Sequence, residues 1–337
     1  MLSPVQKGRQ MLVVTGGAGF IGSNLVAALE ELGSDAVAVC DGIADGKDLN
    51  IAKRRDISLI APAELFDFLD GQQGVVDTIF HMGAISSTTE PDIDLINRTN
   101  VELPLRLWDW CAEHGVRLIY ASSAATYGDG SGGFDDDGTV EALSRLEPLN
   151  PYGRSKNEFD RRVAMMVAAG KPKPPQWAGL KFFNVYGPNE YHKAGQTSVV
   201  YQVFGQANAG KSAQLFKSHH PDYSDGGQLR DFIWVGDCVD LMLWLLDNKS
   251  VNGLFNCGTG KARSFSDLAS TVYRALGFEP KIDYVPTPES IRDKYQYFTQ
   301  AEISRLRAVG YERRFTELED GVTTYVQRYL DQLDPYR

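Results

Sequence analysis

The sequence predicts an α/β fold, a doubly wound parallel sheet with helices on both faces and a smaller C-terminal α/β lobe. Three observations predict it. Short apolar, β-branched runs without polar alternation recur through the first half, as expected of strands buried on both faces. Helical patterns separate them, and such alternation builds parallel sheets. After Ser198 the elements become shorter, broken by Pro221, Pro280, Pro286 and Pro288.

Met11–Thr15 reads as the first strand. Phe20 to Leu32 carries the following helix, with Ile21, Leu25, Ala28 and Leu32 along one face. Between them Gly16, Gly19 and Gly22 recur at every third position, where missing Cβ atoms permit a sharp bend and let a diphosphate approach the helix N-terminus. Val37–Cys40 is the next strand. It ends at Asp41, about twenty residues after the glycines, where a carboxylate takes ribose hydroxyls. Residues 42–58 read as irregular polar sequence. Val75–Phe80 is another strand, and the small-residue loop that starts at His81 and Met82 leaves its carboxyl edge, where ligands of such sheets gather. Asp92 to His114 reads as a helix with a kink or restart at Pro104, which would cost about 3 kcal/mol inside a helix. Arg117–Ala121 is a strand, and Asp129 to Gly138 a surface loop. Asn150 caps a helix from Pro151 to about Ala169, Leu180–Phe183 is a further strand, and Gly187-Pro188 turns the chain away. Leu318, Val322, Tyr325, Val326 and Tyr329 predict an amphipathic helix over Phe315 to Leu333.

The chain has 337 residues and is 43% apolar, enough for a sizeable core. Its net charge of -10 argues against a nucleic-acid partner, yet a few converging cations still bind an anionic small molecule. No apolar run approaches the roughly 20 residues of a membrane span, and Met1 to Gln10 lacks the features of a secretory signal, so a cytoplasmic location is expected. Cys40, Cys111, Cys238 and Cys257 have no metal or disulfide spacing and read as buried thiols, with no metal site expected.

Tyr152 and Lys156 are four apart in a helix, so both project from one face. An ammonium beside a phenol favours phenolate, which predicts a lowered Tyr152 pKa suited to proton transfer, and the same cation can hold a nicotinamide ribose. Ser123, at a strand end, is placed to hydrogen-bond the reacting oxygen.

Thr15 to Gly22, Ser122 to Gly128, Tyr152-Gly-Arg-Ser-Lys156 and Asn184-Val-Tyr-Gly-Pro188, in that order, resemble the extended short-chain dehydrogenase/reductase family acting on sugar nucleotides. Met82 to Glu90, His192-Lys193, Arg230-Asp-Phe232 and Tyr295 to Gln300 are similar, more narrowly, to the branch that epimerises ADP-linked heptoses at C6. The resemblance implies a Rossmann domain over 1–180, rejoined by later segments, and a mainly substrate-binding lobe over 181–337. It implies conversion of ADP-D-glycero-D-manno-heptose to ADP-L-glycero-D-manno-heptose through a transient 6-ketone, by a homo-oligomer with tightly bound NADP. Tyr152 and Lys193 are then the two acid/bases, Ser123 polarises the oxygen, and Lys156 tunes Tyr152. The implied cofactor contacts are Gly16, Gly19, Phe20, Ile21, Gly22, Asp41, Gly42, Lys47, Met82, Gly83, Ala84, Ile85, Ser86, Asn100, Lys156 and Val185. The implied substrate contacts are Ser86, Ser123, Asn184, Gly195, Gln202, Phe216, Arg230 and Tyr295, with Arg230 a fork for a diphosphate.

The resemblance is incomplete. Gln202 stands where relatives commonly have histidine, Gly195 replaces a serine-type contact, Gly42 replaces an asparagine, and Ser218 to Gln228 is an unusually long loop. Asp41 alone suits NAD, whereas Lys47, or Lys53, Arg54 and Arg55 behind it, supplies the cation that a 2′-phosphate needs. Two alternatives share the cradle, a UDP-sugar 4-epimerase or related sugar-nucleotide enzyme and a dinucleotide-sensing protein without catalysis. A 4,6-dehydratase lacks its acid/base pair, because Ala124 and Ala125 transfer no proton.

Overall fold

The computed structural model describes residues 10–34, 36–44, 46–88, 90–292 and 295–337. Thr89, inside the Met82 to Glu90 run, and residues 1–9 lie outside them. In chain order the strands are β1 (Met11–Thr15), β2 (Ala36–Cys40), β3 (Ile57–Ile60), β4 (Val76–His81), β5 (Arg117–Ser123), β6 (Trp177–Phe182), β7 (Asn184–Tyr186), β8 (Ala213–Phe216), β9 (Leu229–Trp234), β10 (Gly253–Cys257), β11 (Ala262–Ser264) and β12 (Ile282–Val285). The helices needed below are α1 (Phe20–Glu31), α2 (Lys47–Ile51), α3 (Leu65–Gly71), α4 (Ile93–Asn97), α5 (Leu103–His114), α6 (Val140–Ser144), α7 (Pro151–Ala168), α8 (Val199–Asn208), α9 (Val235–Asp247) and α10 (Phe265–Ala275).

Seven strands form one sheet in the order β10-β6-β5-β4-β1-β2-β3, every pair parallel. One face packs Val14, Leu25, Leu29, Val39, Val239 and Met242 together, which places α1 and α9 there. The other packs Val13, Leu65, Trp108, Leu118, Phe159 and Val163, which places α3, α5 and α7 there. Strand order reverses about β1, so the carboxyl ends of β1, β4 and β5 open on one crevice, where an α/β sheet binds its ligand. A third core built on Val200, Phe204, Leu215, Phe232, Leu268, Val272, Val322 and Tyr325 holds the C-terminal lobe, and short sheets β11-β9-β7 and β12-β8 complete it.

The five predicted strands are β1, β2, β4, β5 and β6. Two strands of the sheet escape the periodicity. β3 is an edge strand with Ser58 and Leu59 exposed, so its pattern resembles a loop, and residues 42–58 are correspondingly not irregular: α2 lies within them, with Ile51 buried. β10 lies beyond the lobe's first elements in sequence and returns to pair with β6. The predicted 92–114 helix is interrupted, as its proline requires. The backbone widens into an i→i+5 turn over Arg98–Glu102, and Pro104 falls in the first turn of α5, where its missing N–H costs little.

The Asp129 to Gly138 loop is not simply superficial. Phe134 and Asp136 are buried: the Phe134 ring lies 5.4 Å from Tyr127 and 6.1 Å from Phe183, and the Asp136 carboxylate accepts the Asn256 N–H at 2.7 Å. The closing helix is shorter than its apolar period, Leu318–Tyr325 followed by an i→i+5 turn over Val326–Leu330. All four cysteines are free and buried. Among the described residues no helix is long and apolar enough to cross a membrane.

The β1-to-α1 turn positions the crevice, and it is set by backbone contact. Gly16 has φ 67°, and a Cβ on Gly22 would stand 2.1 Å from the Gly16 carbonyl oxygen. In an open helix Gly→Ala gains about 1 kcal/mol of propensity. Here Gly22→Ala is expected to lower the melting temperature and empty the cradle of nucleotide, because backbone on the other side cannot yield. Thermal denaturation and the nucleotide content of the purified protein check it.

Candidate active site

The cradle begins with α1. Its N-terminal residue Gly19 offers no side-chain cap, and no acidic residue occupies the first turn, so the N–H groups of Phe20, Ile21 and Gly22 lie before the first intrahelical bond, which Ser23 donates to Gly19. Such a terminus suits an anion. Gly83 closes the opposite side, with the Cβ position of Gly16 falling 2.5 Å from the Gly83 Cα. No side chain larger than glycine fits at Gly16, so the β1 and β4 loops meet backbone to backbone and the surface beside the start of α1 carries no side chain that would bar a diphosphate.

Asp41 closes the far end. Its Oδ2 accepts the Ala18 N–H at 3.1 Å and its Oδ1 pairs with Lys47 at 3.1 Å. Of the cations weighed for that end, Lys47 alone meets Asp41, since Lys53 pairs with Asp334 and Arg54 with Glu30, while the Arg55 backbone N–H also binds Glu30. Gly42 is exposed beside them. Asn50 donates to the Ala18 carbonyl at 2.8 Å and lies 3.2 Å from His192 Nδ1, which brings the His192-Lys193 loop against the cradle.

Met82, Gly83, Ala84, Ile85 and Ser86 line the carboxyl end of β4. Asn100 holds this loop: it accepts the Ile85 N–H at 2.9 Å, donates to the Ile85 carbonyl at 2.9 Å, and donates to Ser155 of α7 at 3.0 Å. The widened turn at Arg98–Glu102 is what presents Asn100 there. His81, next to the loop, is fully buried with Nδ1 2.7 Å from the Thr15 hydroxyl, and burial pushes its pKa down to about 3, so it remains neutral.

Tyr152 and Lys156 project from α7, which Asn150 caps by accepting the Gly153 N–H at 2.8 Å. Ser123 ends β5 beside the Tyr152 phenol and favours its ionisation. The expected lowering of the Tyr152 pKa is not found. Burial raises it, only partly offset by Ser123, and burial lowers Lys156 to about 8. The reason is geometric: Lys156 Nζ donates to the Ala121 carbonyl at 2.8 Å, and both charged forms lose solvent. Lys193 lies on the Tyr191–Gln196 turn with Nζ 5.2 Å from the centre of the Phe20 ring, and burial lowers its pKa against the opposing pull of Glu190. Gln196 of that turn donates to Ser87 at 2.8 Å, tying it to the β4 loop.

The substrate-lobe residues divide. Phe216, Arg230 and Tyr295 come together, with the Phe216 and Tyr295 ring centres 6.0 Å apart and the Arg230 guanidinium 5.5 Å from the Tyr295 ring and 5.5 Å from Phe265. Arg230 already donates to the Leu229 carbonyl at 2.9 Å and to the Gln296 carbonyl, leaving the rest of its fork for a ligand. The long loop folds onto this group: His220, Tyr223 and Tyr297 stack with centres 5.2–5.4 Å apart, and Tyr297 meets Tyr295 at 5.3 Å. Asn184 is exposed and Val185 half-buried at the start of β7. Gly195 is exposed, and Gln202 turns its amide to the Thr197 carbonyl at 2.8 Å.

Sequence reasoning passed over Asp160 and Lys181, an ion pair at 2.9 Å directly below this site. A signal was present: Lys181 is the one charged residue of Trp177–Phe182, and Asp160 continues the face of Tyr152 and Lys156. It named His192 only as part of the resemblance and gave it no role, because its ring contact crosses from residue 192 to residue 50 and has no local signature.

Residues 12–258 match the NAD dependent epimerase/dehydratase family. The chain is 49% identical over 329 residues to the ADP-L-glycero-D-manno-heptose-6-epimerase of Nitratidesulfovibrio vulgaris strain Hildenborough, covering 97% of this chain and 100% of that one. The crystal structure of Helicobacter pylori ADP-L-glycero-D-manno-heptose-6-epimerase superposes with a TM-score of 0.78 at 28% identity, covering 97% and 99% of the two chains. Thermus thermophilus UDP-glucose 4-epimerase, solved with NAD, gives a TM-score of 0.71 at 25% identity over 93% and 97%. The uncapped N-terminus of α1 beside the Gly16–Gly83 contact fits the diphosphate of a nicotinamide dinucleotide. With its parallel sheet, glycine cradle and Ser123, Tyr152 and Lys156 gathered at one edge, the chain belongs to the NAD dependent epimerase/dehydratase family.

Proposed function

We propose that this protein inverts C6 of the heptose in ADP-D-glycero-D-manno-heptose, with NADP held throughout. One observation carries the proposal: Ser123 and Tyr152 stand together beside buried Lys156 at the carboxyl end of β5, and a second lysine, Lys193, turns towards the start of α1. Inversion through a ketone needs a proton taken from the C6 hydroxyl and one returned after the carbon has been approached from its other face, hence two acid/bases. Burial keeps the Tyr152 phenol protonated and eases the Lys193 ammonium towards the free amine, so one acid and one incipient base stand ready. Ser123 donates to the sugar oxygen as its charge develops. The nicotinamide, when bound, accepts a hydride and gives it back.

The Gly16–Gly22 turn and the Met82–Ser86 loop hold the dinucleotide in this proposal, residues 1–180 with the returning β10 and α9 forming its domain. Phe216, Tyr295 and Arg230 take the ADP moiety, aromatic faces for the base and the cation for the diphosphate. NADP is favoured over NAD because Lys47 neutralises Asp41, so a 2′-phosphate meets an ion pair and not a bare carboxylate. A 4-epimerase is disfavoured because it turns one ketone over in a roomy site and has no use for Lys193.

Tyr152→Phe keeps the ring and removes the proton, and the expected loss is about 10² to 10⁴ in rate with ADP-heptose, followed by C6 configuration in NMR spectra. Lys193→Met is expected to fall as far, and unchanged epimerisation in either variant would remove that residue from the mechanism.

Lys156 gives a signed pH effect. Its ammonium is lost as pH rises through about 8, so kcat/KM is expected to decline above that value. Lys156→Arg keeps its charge and should shift this decline to higher pH; a decline at the same pH in both proteins assigns it to another group.

Denaturing the purified protein should release NADP. Recovery of NAD alone overturns the assignment, and Lys47→Ala should weaken NADP relative to NAD in equilibrium binding.

A further inference from the structure

Below Tyr152 and Lys156 lies the ion pair that no step above uses. Asp160, one turn beyond Lys156 on α7, and Lys181, inside β6, are both fully buried and meet at 2.9 Å. Removing two charges from water is costly, so a pair in this layer must be held by close partners. Asp160 accepts the Ser122 hydroxyl at 2.6 Å and the Tyr120 hydroxyl at 3.3 Å. Lys181 donates a second hydrogen bond to the Thr126 hydroxyl at 2.8 Å, and Thr126 donates to the Ser123 carbonyl at 2.8 Å. The two charges therefore hold Ser122, before the serine that contacts Tyr152, and Thr126, after it.

We propose that Lys181 is a positioning residue of the reaction, which fixes the Ser123–Tyr127 turn through Thr126 and neutralises the Asp160 carboxylate two turns beyond Tyr152 on α7. This assignment rests on Tyr152 as an acid/base. The titratable groups facing the phenol's layer are His81 from β4, Tyr120 from β5, Tyr127 from the turn after it, Lys181 from β6, and Lys156 and Asp160 on α7. Burial keeps His81 uncharged and raises Tyr120 and Tyr127, so these three stay neutral. The charged ones are Lys156, Lys181 and Asp160, one net positive charge. Without Lys181 that surplus vanishes, and the carboxylate, which raises Tyr152, loses its ion-pair partner. Asp160 is also what supports the Lys156 ammonium against burial, so its removal alone is no remedy.

The test uses the holoenzyme and two readouts, the pH dependence of kcat and KM with ADP-D-glycero-D-manno-heptose, and the near-ultraviolet titration of the Tyr152 phenol, taken as the difference between each protein and its Tyr152→Phe counterpart. Lys181→Met is expected to move the phenol titration to higher pH and to lower kcat on the order of tenfold for each unit moved, with KM little changed. Adding Asp160→Asn to Lys181→Met should reverse the displacement, because the opposing carboxylate is gone and Lys156 again leaves one net positive charge, and Lys181→Arg should keep the wild-type titration. A double variant that titrates like Lys181→Met, or a Lys181→Met protein that melts earlier but titrates as the wild type, overturns the proposal. If Lys181→Met does not fold, the double variant and Lys181→Arg decide it by the same titration. Full activity of Tyr152→Phe would instead overturn the acid/base role of Tyr152, an outcome the phenol titration does not depend on.

Discussion

Everything in the crevice depends on how closely two stretches of backbone can pass. The carbonyl of Gly16 lies where a Cβ on Gly22 would be, and the Gly16 Cβ position is filled by Gly83. The first contact fixes the angle at which α1 leaves β1, and with it the direction of the helix N-terminus. The second sets the separation of the β1 and β4 loops. Neither distance can grow without pulling α1 from the core, where Leu25, Val26 and Leu29 are fully buried. The shape of the crevice beside α1 is thus set by residues that contribute almost no side-chain atoms to it.

The loop that brings Lys193 to this crevice is held by polar contacts that cross long stretches of chain. Asn24 on α1 donates to the Pro188 carbonyl at 2.9 Å, and Asn189 donates to Ser23 at 3.0 Å. Glu190 is fully buried and accepts from Ser198 and from Tyr325. These bonds keep Asn189 and Ala194 at φ 71° and 48°, a conformation that non-glycine residues adopt at a cost. The same helix whose N-terminus suits an anion therefore also anchors the loop that carries Lys193.

Burial governs the electrostatics throughout. It keeps Tyr152 a phenol, brings Lys156 down to about 8 and silences His81. A lysine neighbour four residues away does not outweigh that loss of solvent when its ammonium is turned towards a carbonyl. In the low-dielectric layer under α7 the Asp160 carboxylate acts on groups it does not touch, raising Tyr152 and supporting the Lys156 ammonium.

The sequence by itself determined the features whose causes are local. β1, β2, β4, β5 and β6 are legible because a strand buried on both faces needs an unbroken apolar run, and the cradle because only glycine fits there. The Tyr152 and Lys156 pair is legible because helical spacing puts both on one face, and the family motifs follow in order along the chain. Tertiary structure alone decided the rest. The edge strand β3 is half solvated and so has no buried-strand pattern, while β10 owes its place to β6, some seventy residues earlier. The Asp129 to Gly138 loop has a polar composition but is pinned by Phe134 and Asp136 to partners on other elements. Lys47 was one of four nearby cations, and only the fold brought it to Asp41 while sending Lys53 and Arg54 elsewhere. The ionisation of Tyr152 depends on how much water reaches it, a property of the packed site that no spacing of residues encodes.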